Sequence, residues 1–428
     1  MFALMLAALL ALDLPALNAH QMTEARAAAG LAIFIASYLV FALGKFPGTK
    51  IDRPGAAIIG AVLMVAFHIV NAGEAIRAVD FATIVLLFSM MLIVGDLRLT
   101  GTFDAIAFFV IRRLGPARLL PAVIFTTGVL SAFFVNDIIC LVMVPIVLTL
   151  TERMGLEPLP YLLAVATASN IGSVATITGN PQNILIGSYS GISYRNFLAH
   201  MGPIAIAGLF MDWAILRWLF RDADVEREQT KQERELRGIS RGQWLKPGVV
   251  VLGVLVGFLI GFPPPLVAAV GAALLLMTRT TEPRHLYEEI DWGLLVFFVG
   301  LFIIVAGAEQ VGVTRLLFDV AGHWNLQNPA VLATVTAVFS NIVSNVPAVM
   351  LLKSLVPGFE DPHRGWLILS MASTLAGNLT ITGSIANIIV VEQARRKVQI
   401  SFRQYLRAGV PVTICTLLFG TIYLWLLG

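Results

Sequence analysis

The sequence predicts an all-α polytopic membrane protein built from two inverted-topology repeats, each with a re-entrant helical hairpin and a broken transmembrane helix. The first observation is composition, because 58% of the 428 residues are hydrophobic and only 13% are charged, against about 25% charged residues in a soluble domain. The second is a polar string, Thr176–Asn183, that nearly recurs as Thr380–Asn387. The third is an opposite distribution of Lys and Arg between equivalent loops of the two halves.

Composition also excludes several classes of function. Both cysteines lie in apolar runs, which excludes a disulfide framework and a zinc site. The histidines lack metal spacing, and no His-Glu-x-x-His motif or pair of intramembrane acids is evident, so we expect neither an enzyme nor a cofactor or metal site. No basic patch with interleaved aromatics suggests nucleic acid. Four acids are expected to be interfacial because they lie near the ends of predicted spans: Asp96, Asp212, Glu309 and Glu392.

Four segments follow along the chain. Residues 1–25 are expected to form an N-terminal helix or extension, and whether residues 1–20 cross the membrane stays open. Residues 26–220 form the first membrane repeat and residues 247–428 the second. Segment 221–246 between them is rich in both acidic and basic residues, which predicts a solvated linker.

Loop charges predict that the two repeats are inverted. Loop 45–53 carries three Lys or Arg, Arg53 among them, whereas its repeat partner 263–265 carries none. Loop 187–199 carries one, whereas its partner 393–407 carries five. Because Lys and Arg concentrate in cytoplasmic loops, each loop and its partner are predicted to lie on opposite sides of the membrane, with the linker in the cytoplasm.

Each half contains a polar interruption that predicts a hairpin tip. Residues 119–151 form an apolar run whose only charge is Asp137, and this run is too long for one span of roughly 20 residues. The pair Asn136-Asp137 falls near its middle, so the run is expected to enter the membrane and turn back there. The counterpart in the second half is residues 344–347, with Ser344 and Asn345 at the tip.

Asp137 is the strongest single candidate for ion coupling. An Asp at the bilayer centre costs roughly 2.5–3.5 kcal/mol on insertion scales and is by default a functional hypothesis. A single acid at a shared site suits one coupling proton or one Na+. The structural alternative is an Asp that caps a helix starting at Ile138, and both roles stay open.

The broken helices near 176–183 and 380–387 are predicted to line the same site, since polar backbone at membrane depth survives where it lines a cavity. The alternative is that these side chains cap helices. The predicted solute-binding residues are Asn136, Thr178, Gly179, Asn180, Pro181, Asn183, Ser344, Asn345, Thr382, Gly383, Ser384 and Asn387. Weaker candidates are Ser169, Asn170, Asn378 and Cys140, the last as a thiol for a metalloid or as a small hydrophobe.

These motifs resemble a known family. The run Ala168–Ser173, followed by Gly179–Asn183, resembles the ArsB/NhaD permeases of the ion transporter superfamily, and Phe134–Asp137 looks like their Asn-Asp hairpin. The Gly-Asn-Pro-Gln-Asn form is similar to the YbiR-like anion permeases and the plant silicon-efflux transporters. The sodium–carboxylate relatives carry Ser-Asn-Thr at both tips, whereas this chain has Asn-Asp-Ile and Ser-Asn-Val, which argues against their substrate and their two-sodium site.

The resemblance implies two re-entrant hairpins and two broken helices around a midplane site. It implies ion-coupled secondary transport in the bacterial inner membrane and, in related families, an elevator movement and a homodimer. The expected partners are the lipid bilayer and a small inorganic solute.

The residues at the tips favour a neutral, hydroxylated solute. The tips contain no Lys or Arg, whereas a multivalent anion would call for a cation or several helix dipoles. We therefore expect proton-coupled efflux of a small metalloid oxyacid such as silicic acid or arsenite. The alternatives are a Na+/H+ antiporter of the NhaD type, with Na+ at Asp137, and an ion-coupled anion or carboxylate symporter.

Overall fold

A computed structural model describes residues 19–46, 48–103, 105, 118–221, 241–277, 282–313 and 324–427. Within these ranges the chain is helical, with turns and one isolated bridge between Lys45 and Asp52. Five described helices are long and apolar enough to cross a membrane. The predicted all-α polytopic membrane class is therefore confirmed. Residues 1–18 and most of the predicted linker, 222–240, lie outside the described residues.

The first half contains nine described helices. They are α1 (Ala19–Leu43), α2 (Arg53–Ala66), α3 (Ala72–Ala78), α4 (Phe81–Leu99), α5 (Leu119–Phe133), α6 (Asn136–Met154), α7 (Leu159–Ser173), α8 (Pro181–Ser190) and α9 (Tyr194–Leu219). The prediction placed the start of the first repeat at 26, but α1 begins before that position.

The second half continues the series. It comprises α10 (Arg241–Ile260), α11 (Pro264–Met277), α12 (Pro283–Glu288), α13 (Trp292–Gln310), α14 (Pro329–Val343), α15 (Asn345–Leu352), α16 (Pro362–Leu375), α17 (Ile385–Ala394) and α18 (Phe402–Leu427). Short 3-10 turns at Ala376–Asn378 and Ile381–Gly383 separate α16 from α17.

The order and length of the helices repeat between the halves. Equivalent helices have equal lengths in five cases: 14 residues in α2 and α11, 19 in α4 and α13, 15 in α5 and α14, 10 in α8 and α17, and 26 in α9 and α18. Asp80 and Asp291 cap equivalent helices by accepting backbone N–H groups of the first turn, where negative charge is favoured by the helix dipole. The inverted sense of the repeat across the membrane stays a prediction.

Two helices of the first half each pack along a helix of the second half. Helix α2 packs along α13, and α4 packs along α11. Pro54 lies beside Gly293 and Met64 beside Gly307, so α2 and α13 run in the same direction. A side chain at Gly300 would meet the backbone of Ala57 at 2.6 Å, which explains the small residues at this close contact.

Contacts among the remaining helices bring the hairpin tips and the broken helices together. Helix α6 packs against α17, and α8 packs against α15 and α16. Each hairpin tip of one half therefore lies next to the broken helix of the other half. This arrangement places the starts of α6, α8, α15 and α17 in the interior of the molecule.

Two acids depart from the expectation that they lie at the interface. Asp96 and Asp212 both have 0% exposure, because the helices that carry them are covered by neighbours at those positions. Glu309 and Glu392, by contrast, are exposed. Asp137 is the only charge in the run 119–151, but the interior also contains Asp96 and Asp212.

Candidate functional site

A cavity of about 140 Å³ lies where six helices begin. Its walls come from the first turns, or the residues just before them, of α2, α6, α8, α13, α15 and α17. Helix N-termini present free N–H groups and partial positive charge. The lining residues are Arg53, Pro54, Asn136, Asp137, Pro181, Gln182, Asp291, Gly293, Leu294, Phe297, Ser344, Asn345, Val346, Ser384 and Ile385.

The first hairpin tip supplies an amide and a carboxyl group. The chain turns at Val135 with φ −57° and ψ 120°, and α6 begins at Asn136 without a side-chain cap. The N–H of Asn136 donates to the carbonyl of Gly179 at 3.0 Å, and its Nδ2 donates to Asn170 Oδ1 at 3.0 Å. Its buried Oδ1 has no hydrogen-bond partner among the described residues.

Asp137 lies in the first turn of α6, half-buried, at the wall of the cavity. Because α6 begins at Asn136 and Val135 occupies the N-cap position, Asp137 does not cap a helix starting at Ile138. The backbone of Ala386, at the start of α17, lies beside its carboxyl group. The carboxyl group is thus positioned between one hairpin tip and the broken helix of the other half.

The second hairpin tip reaches the cavity by a different backbone route. Ser344 has φ 79° and ψ 156°, a conformation that is essentially restricted to glycine and costs of order 1–3 kcal/mol in other residues. Asn345 follows as the first residue of α15. With its amide oriented to satisfy its neighbours, Asn345 donates to the carbonyls of Ser373 at 3.1 Å and Gly383 at 3.2 Å.

The two broken helices are held open by equivalent asparagines. Nδ2 of Asn183 donates to the carbonyls of Ser173 and Thr176, both at 3.0 Å. Nδ2 of Asn387 donates to the carbonyls of Gly377 at 2.6 Å and Thr380 at 3.0 Å. The regular helical hydrogen bonds end at each break, and each amide supplies donors to the backbone carbonyls there. The carbonyls of Thr176 and Thr380 also accept from the N–H groups of Gly179 and Gly383.

Asn170 connects the tip of the first half to the break of the second. Its Oδ1 accepts from Asn136 Nδ2 and from Ser384 Oγ, each at 3.0 Å. Its Nδ2 donates to Asn378 Oδ1 at 2.8 Å and Asn387 Oδ1 at 3.0 Å. The buried amide therefore couples the two cavity-lining groups Asn136 and Ser384 to the interior.

The structure places all but one of the predicted site residues in two groups. Six line the cavity: Asn136, Asp137, Pro181, Ser344, Asn345 and Ser384. The others are buried behind it: Thr178, Gly179, Asn180, Asn183, Gly383, Asn387, Ser169, Asn170, Asn378 and Cys140. Thr382 is exposed and is not part of the lining.

Nine lining residues lie outside the predicted set, and three of them are polar or charged: Arg53, Gln182 and Asp291. Arg53 begins α2 and donates through Nε to the carbonyl of Phe41 at 2.9 Å, and it brings a cation to a site predicted to have none at its tips. Asp291 caps α13, and Gln182 donates to Thr374 Oγ1 at 3.3 Å. The sequence offered one indication of this role for Arg53. Pro54, which follows it, marks the start of a helix, and the predicted site residues also lie at the starts of helices.

Residues 38–362, most of the chain, match the family described as citrate transporter, CitMHS. The chain belongs to the CitMHS family. This membership confirms a transporter rather than an enzyme and an integral membrane protein, and it confirms the ion transporter superfamily. The narrower ArsB/NhaD assignment stays a resemblance.

Individual relatives agree with the family. The chain is 32% identical to a 46 kDa membrane protein of Mycobacterium leprae over 92% of this chain and 97% of that protein. It is 28% identical to a silicon efflux transporter of rice, Oryza sativa, over 91% of this chain and 96% of the relative. The fold is similar to that of the YdaH transporter of Alcanivorax borkumensis, with a TM-score of 0.58, 14% identity, and coverage of 95% of this chain and 98% of that one.

The lining of this CitMHS-family site limits its chemistry. Amide and hydroxyl groups from both halves offer hydrogen bonds, Asp137 offers an exchangeable proton, and Arg53 offers positive charge. The groups suit recognition and release of a small polar solute. Among the described residues there is no group of three or more His, Cys, Asp or Glu that could hold a metal ion.

Proposed function

We propose that this CitMHS-family chain is a secondary active transporter that exports a small metalloid oxyacid, such as silicic acid or arsenite, in exchange for protons. The observation that carries the proposal is the cavity between the two tips. Its volume of about 140 Å³ is close to the ~150 Å³ cavity that holds one benzene molecule, and it is below the roughly 300–1,000 Å³ of drug-sized sites. A solute of a few heavy atoms therefore fits best.

The lining supports a hydroxylated solute. Asn136 Oδ1 is an acceptor without a partner in the part of the chain that the structure describes. Ser344 and Ser384 offer hydroxyl groups, and helix N-termini offer N–H donors. A metalloid oxyacid presents several hydroxyl groups that both donate and accept. The rice relative, named as a silicon efflux transporter, supports the same class of solute.

Asp137 is the proposed coupling group. It faces the cavity at the first tip, and the aligned position in the second tip is Val346, so the site has this acid in one half only. We propose that Asp137 binds a proton when the solute leaves and releases it when the solute binds, with Na+ as the alternative ion. The proposed setting is the bacterial inner membrane.

The proposed transport movement is an elevator. The tips and broken helices, α5–α8 and α14–α17, would carry the solute past the paired helices α2, α4, α11 and α13. The cavity supports this division because it lies between the two groups, with Arg53 and Asp291 on one side and the tips on the other. We also propose a homodimer, as in related families.

A second candidate is an ion-coupled anion or carboxylate symporter. Arg53 favours it, because a guanidinium in the cavity together with six helix N-termini can offset negative charge on a solute. The description of the family as citrate transporters agrees with this candidate. The cavity volume argues against a solute as large as citrate in this conformation.

Proton flux distinguishes the candidates. Inside-out membrane vesicles carrying the protein are energised to an acid interior, and silicic acid, arsenite, Na+, Li+ and citrate are added in turn while a pH-sensitive dye is followed. Alkalinisation by silicic acid or arsenite, absent in vesicles without the protein, is the expected result. A response to Na+ or Li+ alone would contradict it in favour of a cation antiporter, and transport of citrate without alkalinisation would favour the symporter.

A further inference from the structure

Asp212 is a second acid in the interior of the molecule. It lies within α9, the 26-residue helix from Tyr194 to Leu219, and has 0% exposure. It is not part of the cavity lining. An isolated ionised carboxylate in an apolar interior is costly unless it is paired or fully hydrogen-bonded.

The hydrogen bonding around Asp212 fits a protonated carboxyl group. Thr167 Oγ1 on α7 lies 3.0 Å from Asp212 Oδ2 and 2.9 Å from the carbonyl of Leu163. A threonine hydroxyl has a single proton to donate. If Thr167 donates to Leu163, then the hydrogen on the short contact must come from Asp212. The other carboxyl oxygen, Oδ1, has no hydrogen-bond partner among the described residues.

Among the described residues, no ion pair includes Asp212. The titratable side chain that interacts with it is Tyr405 of α18. Other titratable groups stand on the helices packed against α9: Tyr161 on α7, Lys246 on α10, His363 and Arg364 on α16, and Arg403, Arg407, Cys415 and Tyr423 on α18.

A set of polar contacts leads from the cavity to Thr167, whose hydroxyl contacts Asp212. The backbone carbonyl of Thr167 accepts from Asn378 Nδ2 at 3.2 Å. Asn378 Oδ1 accepts from Asn170 Nδ2 at 2.8 Å. Asn170 Oδ1 accepts from the cavity-lining groups Asn136 Nδ2 and Ser384 Oγ. A solute that reorients those two groups would therefore alter the hydrogen bond at the Thr167 carbonyl, in the residue that contacts Asp212.

We propose that Asp212 is a second proton-binding site, linked to the solute cavity through Thr167, Asn378 and Asn170. The helix movement that follows solute binding opens Asp212 to water, and the O–H proton of its carboxyl group passes to that water. The resulting carboxylate then accepts a hydrogen bond from the Thr167 hydroxyl, which turns away from the carbonyl of Leu163. The inference rests on the proposed proton-coupled transport and adds a second exchangeable proton to that of Asp137.

The test counts the protons released when solute binds. Arsenite, and separately silicic acid, is titrated into the purified full-length protein by calorimetry, in two buffers of different ionisation enthalpy at one pH. The dependence of the heat on the buffer gives protons released per solute. Asp212→Asn is expected to lower this number by up to one, since Asn reproduces the hydrogen bonding of a neutral acid but has no proton to release. Because proton release and solute binding are linked, it should also weaken solute binding by roughly tenfold.

A matched control and a second variant keep the outcome interpretable. Thr416→Val removes a buried hydroxyl that bonds within its own helix and should leave the proton count unchanged. Thr167→Val retains Asp212 but removes its partner, and it should displace the pH at which proton release is half-maximal, even if Asp212→Asn fails to fold.

The experiment distinguishes failure of the proposed function from failure of the proposal for Asp212. A wild-type protein that binds neither arsenite nor silicic acid contradicts the proposed function. A wild-type protein that binds solute and releases protons, with the same count in Asp212→Asn and the same pH profile in Thr167→Val, contradicts the role of Asp212 alone.

Discussion

The two hairpin tips present an asparagine to one cavity by different means. In the first half the turn at Val135 uses ordinary backbone angles, and α6 spans 19 residues beginning with Asn136. In the second half Ser344 holds φ 79°, and α15 ends after 8 residues. The first tip adds an acid, Asp137, whereas the second adds Val346 and local strain. The comparison shows that the halves share a shape while the ionisable chemistry sits at one tip.

The broken helices show the opposite behaviour. Asn183 and Asn387 hold their breaks with the same pattern of hydrogen bonds to carbonyls, and both have 0% exposure. Residues repeated in both halves therefore maintain the architecture. Of the three charged residues that line the cavity, Arg53 and Asp137 have no charged counterpart at the aligned positions, whereas Asp291 is matched by Asp80.

The largest expected effect comes from removing the difference between the tips. Asp137→Asn should abolish solute-driven proton flux while leaving the protein folded, because Asn keeps the shape and loses the exchangeable proton. Flux is measured with a pH-sensitive dye in vesicles. The matched control is Asp291→Asn, which alters the other carboxylate of the cavity and keeps a good N-cap. Unchanged flux in Asp137→Asn would remove that residue from the coupling mechanism.

The glycines at the two breaks should differ in their tolerance of a methyl group. A Cβ at Gly179 would overlap the backbone of Ser173, whereas one at Gly383 would lie 2.8 Å from the Asn341 side chain and 2.9 Å from the carbonyl of Gly377. Gly179→Ala is therefore expected to prevent folding, and Gly383→Ala to cost about 1–3 kcal/mol. Thermal unfolding in detergent measures both, and equal losses would contradict the difference in packing.

The repeated asparagines should behave alike. Asn183→Ala and Asn387→Ala each remove two hydrogen bonds to carbonyls at a break, at a cost of about 1–3 kcal/mol in stability. Both should also weaken solute binding, because the start of the following helix shifts. The measurements are unfolding temperature and solute affinity. An effect on affinity without any loss of stability would show that these amides contact the solute directly.

The smallest expected effect concerns the backbone of the tips. Ser344→Gly should stabilise the protein by about 1 kcal/mol or leave it unchanged, since glycine tolerates φ 79°. Val135→Gly, the matched change in the first tip, should destabilise it by roughly 0.5–1 kcal/mol. Comparison of the two unfolding temperatures checks the prediction. A greater loss in Ser344→Gly than in Val135→Gly would contradict the strain at Ser344.

The sequence predicts the local features of the site well. The tip at Asn136 and the breaks after Thr176 and Thr380 are visible because polar residues interrupt long apolar runs. The sequence places Arg53 in a charged loop, and it cannot show that Arg53 approaches the tips, because this approach depends on the packing of α2 along α13. The sequence places Asp212 near the interface, and it cannot show that Asp212 is buried, because the residues that cover it come from distant helices. Side chains that line a cavity and those that support it look alike in sequence.

The central claim is that one cavity between the two tips binds the solute. Its most direct test is the affinity for arsenite and silicic acid of Asn136→Ala and Asn345→Ala, measured by calorimetry, with Asn71→Ala in the exposed cap of α3 as the control. We expect each tip variant to weaken binding about tenfold, or ~1.4 kcal/mol, and the control to match the wild type. A loss confined to one tip, or to neither, would contradict a site shared by both halves.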